Sequence, residues 1–248
     1  MTPLDLRQAL AAHRASEPHG SGLGQYIQDI VYGANDGIVT TFAVVSGVAG
    51  AQLAPSIVVI MGLANVLADA LSMGLGNYLS IRSKRDHYQR IYKEECREID
   101  DIPEIEREEI REIYAAKGFA GMELENVVRV LTGDKRVWAD TMMREEHGLA
   151  PEDTAHPALH GFTTFCSFIV FGMIPITPYL LPIADGSRFT VTIVATGVAL
   201  LIVGLLRSWV TQERMFKGPL EIVTIGAVCA AAAYFVGVML RGLAGAIV

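Results

Sequence analysis

The chain has 248 residues, of which 51% are hydrophobic and 19% charged, and its formal net charge is −7. Soluble domains usually carry about a quarter charged residues. Three segments (159–181, 189–206 and 222–240) contain no Asp, Glu, Lys or Arg. Each is long enough to cross a hydrocarbon core about 30 Å thick. These properties exclude a soluble enzyme, a nucleic-acid-binding protein and a secreted disulfide scaffold, and they indicate an integral membrane protein.

The charge is concentrated in residues 82–156, which hold 19 of the 27 acidic and 13 of the 20 basic residues. Of the three cysteines, which show no paired spacing, Cys96 lies in this segment, as expected for a segment in a reducing cytosol without a disulfide framework. The N-terminal residues contain no basic start followed by an apolar stretch, so we expect no cleavable signal peptide.

The sequence predicts an all-α protein with five transmembrane helices and a helical cytosolic domain. Residues 1–24 are predicted to form a cytosolic tail, as a short helix or a loose segment. Residues 25–81 contain two spans, Ile27–Gly50 and Ile57–Leu79, and the connection 51–54 is short enough to make them an antiparallel hairpin. Residues 157–248 contain the other three spans, with breaks at Pro182–Ser187 and Lys217–Pro219 and an irregular end to the third span at Pro175 and Pro178.

Within residues 82–156 the pattern predicts four helices. The first continues from the membrane through Ile99, and the others cover Pro103–Lys117, about 122–131 and Asp134–His147, with a linker at Pro151–Pro157. Five spans place the two termini on opposite sides of the membrane. Segments 1–26, 82–156 and 207–218 carry 18 of the 20 Lys and Arg residues, so these segments and the N-terminus are predicted to be cytosolic.

Polar residues occur inside both of the first two spans. An ionisable group at such a position costs roughly 2.5–3.5 kcal/mol on insertion scales, so it usually has a function. Asp36 lies mid-span between Gly33 and Gly37. In the second span, one helix face carries residues that recur every four positions: Met61, Asn65, Asp69, Met73 and Asn77. Such a row suits a partly dehydrated, borderline-soft cation.

Two structural alternatives apply to these residues. Asn and Asp side chains can lock helices together by hydrogen bonds while Met fills gaps. Gly33 and Gly37 can form a close-packing surface between helices rather than provide flexibility around Asp36.

The cytosolic segment offers a second group of candidate ligands. Glu95 and Glu98 project from one face of a helix, and Glu106 and Glu109 repeat that spacing on the next. Asp140, Met142, Met143 and Glu146 occupy consecutive turns of the last helix. Carboxylates and thioethers together favour ferrous-like metals. Arg97, Arg107 and Arg111 are interleaved with these acids, so a salt-bridged, solvated face is the alternative.

The histidines indicate little at this level. His156 and His160 are four residues apart with Pro157 between them, and neither His87 nor His147 has an obvious partner. The sequence contains no glycine-rich phosphate loop, no GxSxG and no HExxH, which argues against an enzyme.

The chain resembles the vacuolar iron transporter family over nearly its whole length after residue 24. The resemblance is carried by DIVYGANDGIVTTFAVVSGVAGA at 29–51, GLANVLADALSMGLGNYLS at 62–80, and YKEECREID, PEIEREEIREIYAAKG and DTMMREEHGL in the cytosolic segment. It implies a five-span homodimer that exports cytosolic Fe²⁺, and often Mn²⁺, in exchange for protons.

The resemblance also implies roles for particular residues. An aspartate and a methionine that line the family's path match Asp36 and Met73. The family's cytosolic metal ligands match Glu95, Glu98, Glu106, Glu109, Met142, Met143 and Glu146, with Asp140 at a position where a glutamate occurs. Three residues depart from the family pattern: Asn77 stands where many relatives have glutamate, Asp69 is an unusual acid, and Glu145 replaces an apolar residue.

We therefore expect a proton-coupled divalent metal transporter in a lipid bilayer, with Fe²⁺, Mn²⁺, Zn²⁺ or Co²⁺ as substrate and no prosthetic group, enzyme activity or nucleic-acid partner. The short N-terminal segment and compact loops favour the bacterial plasma membrane over a vacuolar one. Two alternatives remain: a membrane-anchored metal buffer or sensor that does not transport, and a diiron carboxylate oxidase. The oxidase usually requires Glu-x-x-His, and no His stands three residues after the glutamates of the first two cytosolic helices.

Overall fold

The computed structural model describes residues 3–16, 24–150, 156–211 and 214–247, and within these ranges every regular element is a helix. A 3-10 turn at Gly24–Tyr26 precedes the second helix. The α-helices in the described ranges are α1 (Pro3–Ser16), α2 (Ile27–Gly50), α3 (Pro55–Asp101), α4 (Pro103–Ala116), α5 (Gly121–Leu131), α6 (Lys135–Glu145), α7 (Pro157–Gly172), α8 (Thr177–Leu180), α9 (Asp185–Thr211) and α10 (Lys217–Ile247).

The chain divides into two compact units. The apolar unit contains residues 1–78 and 158–248, and the polar unit contains residues 79–157. Among the described residues, three helices are long and apolar enough to cross a membrane by length and composition: α3, residues 186–211 of α9 and residues 217–242 of α10. The predicted first span coincides with α2, which has 24 residues but is less apolar than these three helices. The predicted third span begins in α7, a shorter apolar helix.

The helix ends refine several predictions. The irregular end of the third span is confirmed, because α7 stops at Gly172 and the short α8 follows a turn that contains Pro175. The predicted break between the last two spans exists but lies before Lys217, since α9 ends at Thr211 and Lys217–Pro219 form the first turn of α10. Pro is tolerated there because the first amides of a helix have no intrahelical partner. Most of the predicted linker, residues 151–155, lies outside the described residues.

Close backbone contacts hold α2 in the apolar unit. A Cβ atom added to Gly33 would lie 2.7 Å from the carbonyl oxygen of Thr164 in α7, and one added to Gly37 would lie 2.6 Å from that of Phe168. The close-packing interpretation of these two glycines is thus confirmed. Another part of α2 packs in a buried cluster with α9 and α10, made of Ala34, Ile38, Val39, Ala199, Leu200, Val203 and Ile222.

The polar unit has its own core. Ile99, Ile110, Val128, Trp138, Ala139 and Met142 form a buried cluster from residues of α3, α4, α5 and α6. Asp134 caps α6, because its Oδ1 accepts hydrogen bonds from the backbone N–H groups of Arg136 (2.9 Å) and Val137 (3.1 Å). This core fixes the helix faces that carry the predicted metal ligands.

Candidate metal centre

Three glutamates of the polar unit converge at the contact between α3 and α4. One carboxylate oxygen from each of Glu95, Glu98 and Glu106 lies within 4.8 Å of the others. Glu95 and Glu106 are 1% and 3% exposed, whereas Glu98 faces solvent. The spacing predicted that Glu95 and Glu98 share a helix face, and the packing of α4 brings Glu106 against that face.

The two buried carboxylates are poorly satisfied by the protein. Oε1 of Glu95 and Oε2 of Glu106 are buried and have no hydrogen-bond partner. A buried ionised carboxylate is strongly destabilising unless a cation or a proton compensates it. Burial, reinforced by the neighbouring Glu95, raises the pKa of Glu106 to about 8. The pair is therefore suited to hold either a proton or a metal ion.

Glu109 and Glu146 belong to the same electrostatic neighbourhood. Burial is the main cause of a raised pKa at each of them, and the charges of Glu95 and Glu98 raise both further, while His147 opposes the shift. Carboxylates from α3, α4 and the end of α6 thus repel one another around one site. Such a concentration of negative charge attracts divalent cations.

His147, which the sequence analysis left without a partner, lies at this site. Its Nε2 is 3.1 Å from Oε2 of Glu95 and 3.8 Å from Oε2 of Glu146. Glu95, Glu146 and His147 form a second group whose ligand atoms lie within 4.8 Å of one another. Its position directly after Glu146 was the one sequence signal that pointed to it.

The interleaved basic residues pair with other acids. Arg97 binds Asp101 (3.1 Å) and Arg107 binds Glu104 (2.8 Å), while Arg111 pairs with Glu108 and Glu125. Within the described residues, Lys and Arg form no ion pair with the site acids Glu95, Glu98, Glu106, Glu109 and Glu146. The salt-bridged, solvated face therefore exists, but it consists of a different set of acids.

The three other predicted ligands, all on α6, differ from one another in their surroundings. Met142 is fully buried in the apolar core of the polar unit, and Met143 is fully buried but outside that cluster. Asp140 lies 3.8 Å from Arg136 and lines a separate surface pocket with Thr141 and Arg144. Glu145 pairs with Lys117 instead of joining the acids.

The apolar unit brings part of the predicted polar path together. The carboxylate of Asp69 in α3 is close enough to Asp36 in α2 to interact with it electrostatically. In the same unit, Oδ1 of Asn35 and Nδ2 of Asn65 are buried without a hydrogen-bond partner. Met61, by contrast, is more than half exposed.

The last two residues of this series on α3, Met73 and Asn77, differ from one another in their contacts. Met73 is half-buried and packs against the cluster that contains Val66 and Phe168. Asn77 donates hydrogen bonds to Oδ1 of Asp29 (2.7 Å) and to Oγ1 of Thr164 (2.8 Å). The structural alternative, an amide that locks helices together, thus describes Asn77.

The match to a family decides what kind of protein carries these two sites. The profile of the VIT family matches residues 27–238. This range includes all of the site acids and the polar row, which consists of Met61, Asn65, Asp69, Met73 and Asn77. The chain belongs to the VIT family.

Relatives of this VIT family member span most of its length. It is 36% identical to vacuolar iron transporter 1 of Arabidopsis thaliana over 92% of this chain and 90% of the relative. It is also 36% identical to vacuolar iron transporter 1 of Eucalyptus grandis, over 85% of each chain. For the vacuolar iron transporter of Plasmodium falciparum the identity is 34%, over 87% and 82%. The resemblance seen in the sequence is confirmed, and these relatives support metal-ion transport across a membrane.

Proposed function

We propose that this VIT family member is a homodimeric, proton-coupled transporter that exports Fe²⁺, and also Mn²⁺, from the cytosol. The carboxylates of the polar unit gather the ion, and Asp36, Asp69 and Met73 pass it across the membrane. The observation that carries the proposal is the buried pair Glu95 and Glu106, each with one carboxylate oxygen that lacks a protein partner, beside three further acids. Glu98, Glu109, Glu146 and the Met143 thioether complete the proposed ligand set.

Five spans and a cytosolic polar unit form part of the proposal. The 24 residues of α2 extend about 36 Å at 1.5 Å per residue, which is enough to cross the hydrocarbon core. Helices α7 and α8 together supply the irregular third span. The distribution of Lys and Arg supports a cytosolic location for the N-terminus and the polar unit. The bacterial plasma membrane remains the prediction from the sequence.

The homodimer is supported by one face of α3. Ala64, Ala68, Ser72 and Gly76 recur every four residues on this face, and all four are exposed. Small residues at this spacing let two transmembrane helices approach closely. Each of them precedes a member of the polar row, so a dimer formed along this face places the two polar rows near the interface.

Proton coupling follows from the chemistry of the acids. A carboxylate releases its proton when it binds a metal and takes it up again when the metal leaves. Asp36 and Asp69 are proposed to perform this exchange within the membrane. Their proximity lets one carboxylate hold a proton while the other holds the ion, since two neighbouring charges of the same sign disfavour each other.

The test is anaerobic Fe²⁺ uptake into proteoliposomes that contain the full-length protein, with and without an acidic interior. We expect an acidic interior to accelerate uptake and the Asp36→Asn and Asp69→Asn variants to abolish it. Asp86→Asn, which changes an exposed acid of the polar unit, is the control and should transport normally. If the wild type binds the metal but vesicles do not accumulate it, the protein is a metal buffer or sensor and not a transporter. If uptake is the same with and without the pH gradient, only the proposed proton coupling is wrong.

A further inference from the structure

The end of α6 holds His147 in a defined position. The backbone N–H groups of Glu146 and His147 both donate to the carbonyl oxygen of Met142, at 2.9 and 3.3 Å. Gly148 follows with a φ of +64°, a left-handed conformation that other residues adopt at a cost, and Leu149 N–H then donates to the Met143 carbonyl oxygen at 2.7 Å. The imidazole therefore lies beside the acids because of the way the helix ends.

The distances around His147 suit a shared metal ion. Transition-metal ions bind imidazole nitrogen and carboxylate oxygen at roughly 2.0–2.2 Å, so two ligand atoms on one tetrahedral ion lie roughly 3–3.6 Å apart. Nε2 of His147 is 3.1 Å from Glu95 and 3.8 Å from Glu146. Small side-chain rotations would bring all three atoms into one coordination sphere.

A second observation points to a ligand at the same place. Glu95 is 1% exposed, and its other carboxylate oxygen is buried without a partner. His147 can satisfy only Oε2, so a bond from His147 alone leaves Glu95 incompletely satisfied. A cation that binds Glu95 from the side of His147 and Glu146 compensates the remaining charge.

We propose that His147 is a nitrogen ligand of the metal centre, together with Glu95 and Glu146, and that it shifts the preference of the centre toward Zn²⁺ and Co²⁺ relative to Mn²⁺. Carboxylates alone suit Mn²⁺, whereas imidazole raises the affinity for the later, softer metals of the series. This inference rests on the proposed function only in taking the acidic cluster as a binding site for transported metals, and it does not depend on transport itself.

The test compares metal affinities of the full-length, detergent-purified and metal-stripped protein by calorimetry with Zn²⁺, Co²⁺ and Mn²⁺. In the His147→Gln variant we expect Zn²⁺ and Co²⁺ affinity to fall by about tenfold or more, since even groups that only orient a ligand are worth this much. Mn²⁺ affinity should fall by less than about threefold. The visible absorption bands of bound Co²⁺ should shift as nitrogen leaves the coordination sphere.

The controls separate ligation from a structural role. Gln keeps a side-chain amide that can still donate a hydrogen bond to Glu95, so a loss confined to the softer metals identifies ligation. His87→Gln changes an exposed histidine of the same unit and should alter no affinity. Equal losses for all three metals, or an unchanged Co²⁺ spectrum, would overturn the proposal. Because binding is measured without vesicles, failure of Fe²⁺ uptake in the transport assay would be a separate result.

Discussion

Nδ1 of His160 lies 2.5 Å from Oδ2 of Asp29, although 131 positions of sequence separate the two residues. The other oxygen of Asp29 accepts a hydrogen bond from Asn77, and Asn77 also donates to Thr164. The ring of Tyr26 lies against the imidazole, with centroids 4.7 Å apart. Polar groups of α2, α3 and α7 therefore form one network inside the apolar unit.

Breaking this network should destabilise the protein. His160→Ala removes one partner of the Asp29 carboxylate, and Asp29→Ala removes the partner of His160 and one of the two acceptors of Asn77. Each should lower the free energy of unfolding by about 1.5–3 kcal/mol, the typical worth of a hydrogen bond to a charged group. The measurement is thermal unfolding of the detergent-solubilised protein.

The double variant tests the contact itself. Because the two residues interact directly, the combined loss in His160→Ala/Asp29→Ala should be smaller than the sum of the single losses. His156→Ala, which changes the exposed histidine one turn before His160, should leave the unfolding temperature unchanged. Additive losses at positions 29 and 160 would contradict the contact.

Metal affinity of the polar unit should rise with pH because of Glu106. Its pKa of about 8 means that the metal-free protein holds this proton at pH 6 and 7, and the metal has to displace it. Mn²⁺ affinity should increase by about tenfold per pH unit between pH 6 and 8 for one displaced proton, then level off above the pKa. Calorimetry in buffers of different ionisation enthalpy measures the released proton directly.

The Glu106→Gln variant is the matched test, because glutamine has the same shape and no titrating proton. It should bind Mn²⁺ more weakly at pH 8 and lose most of the pH dependence. The raised pKa values of Glu109 and Glu146 leave a smaller residual slope. A variant with the full wild-type slope would show that Glu106 does not hold the displaced proton.

The two methionines of α6 should respond differently to loss of their sulfur atoms. Met142 lies in the apolar cluster with Ile110 and Trp138, so Met142→Leu should preserve Fe²⁺ affinity and change stability by less than about 1.5 kcal/mol. Met143→Leu should weaken anaerobic Fe²⁺ binding while leaving stability similar, because Met143 is a proposed ligand that is buried outside that cluster. If only the Met142 variant binds Fe²⁺ more weakly, Met142 and not Met143 is the ligand.

A methyl group at Gly37 should be poorly tolerated. The added Cβ of Gly37→Ala would lie 2.6 Å from a backbone carbonyl of α7, so the helices have to separate, at a cost of about 1–3 kcal/mol. Gly47→Ala in the same helix is the control, because its Cβ would meet its nearest neighbour at an ordinary 3.5 Å. Thermal unfolding of the two variants compares them, and equal stability would contradict the close approach of α2 and α7.

Much of the fold could be predicted from the sequence because its signals are local. Proline, glycine and aspartate mark the helix ends at Pro103, Gly118 and Asp134, and i,i+3 spacing assigns Glu95 and Glu98 to one face. Apolar runs longer than 17 residues identify the last two long helices. Each of these inferences depends on neighbours within a few residues, for which helix geometry fixes the outcome.

The sequence alone determined the family, the membrane character and the identity of the acids around Glu95. Only the tertiary structure separated the acids that pair with arginine from those that do not, and it placed Met142 in the core. It alone joined His147 to Glu95, 52 residues away, and His160 to Asp29. Contacts between residues so far apart in the sequence depend on how whole helices pack. Helix packing requires complementary surfaces from distant segments, and the local spacing of residues does not specify them.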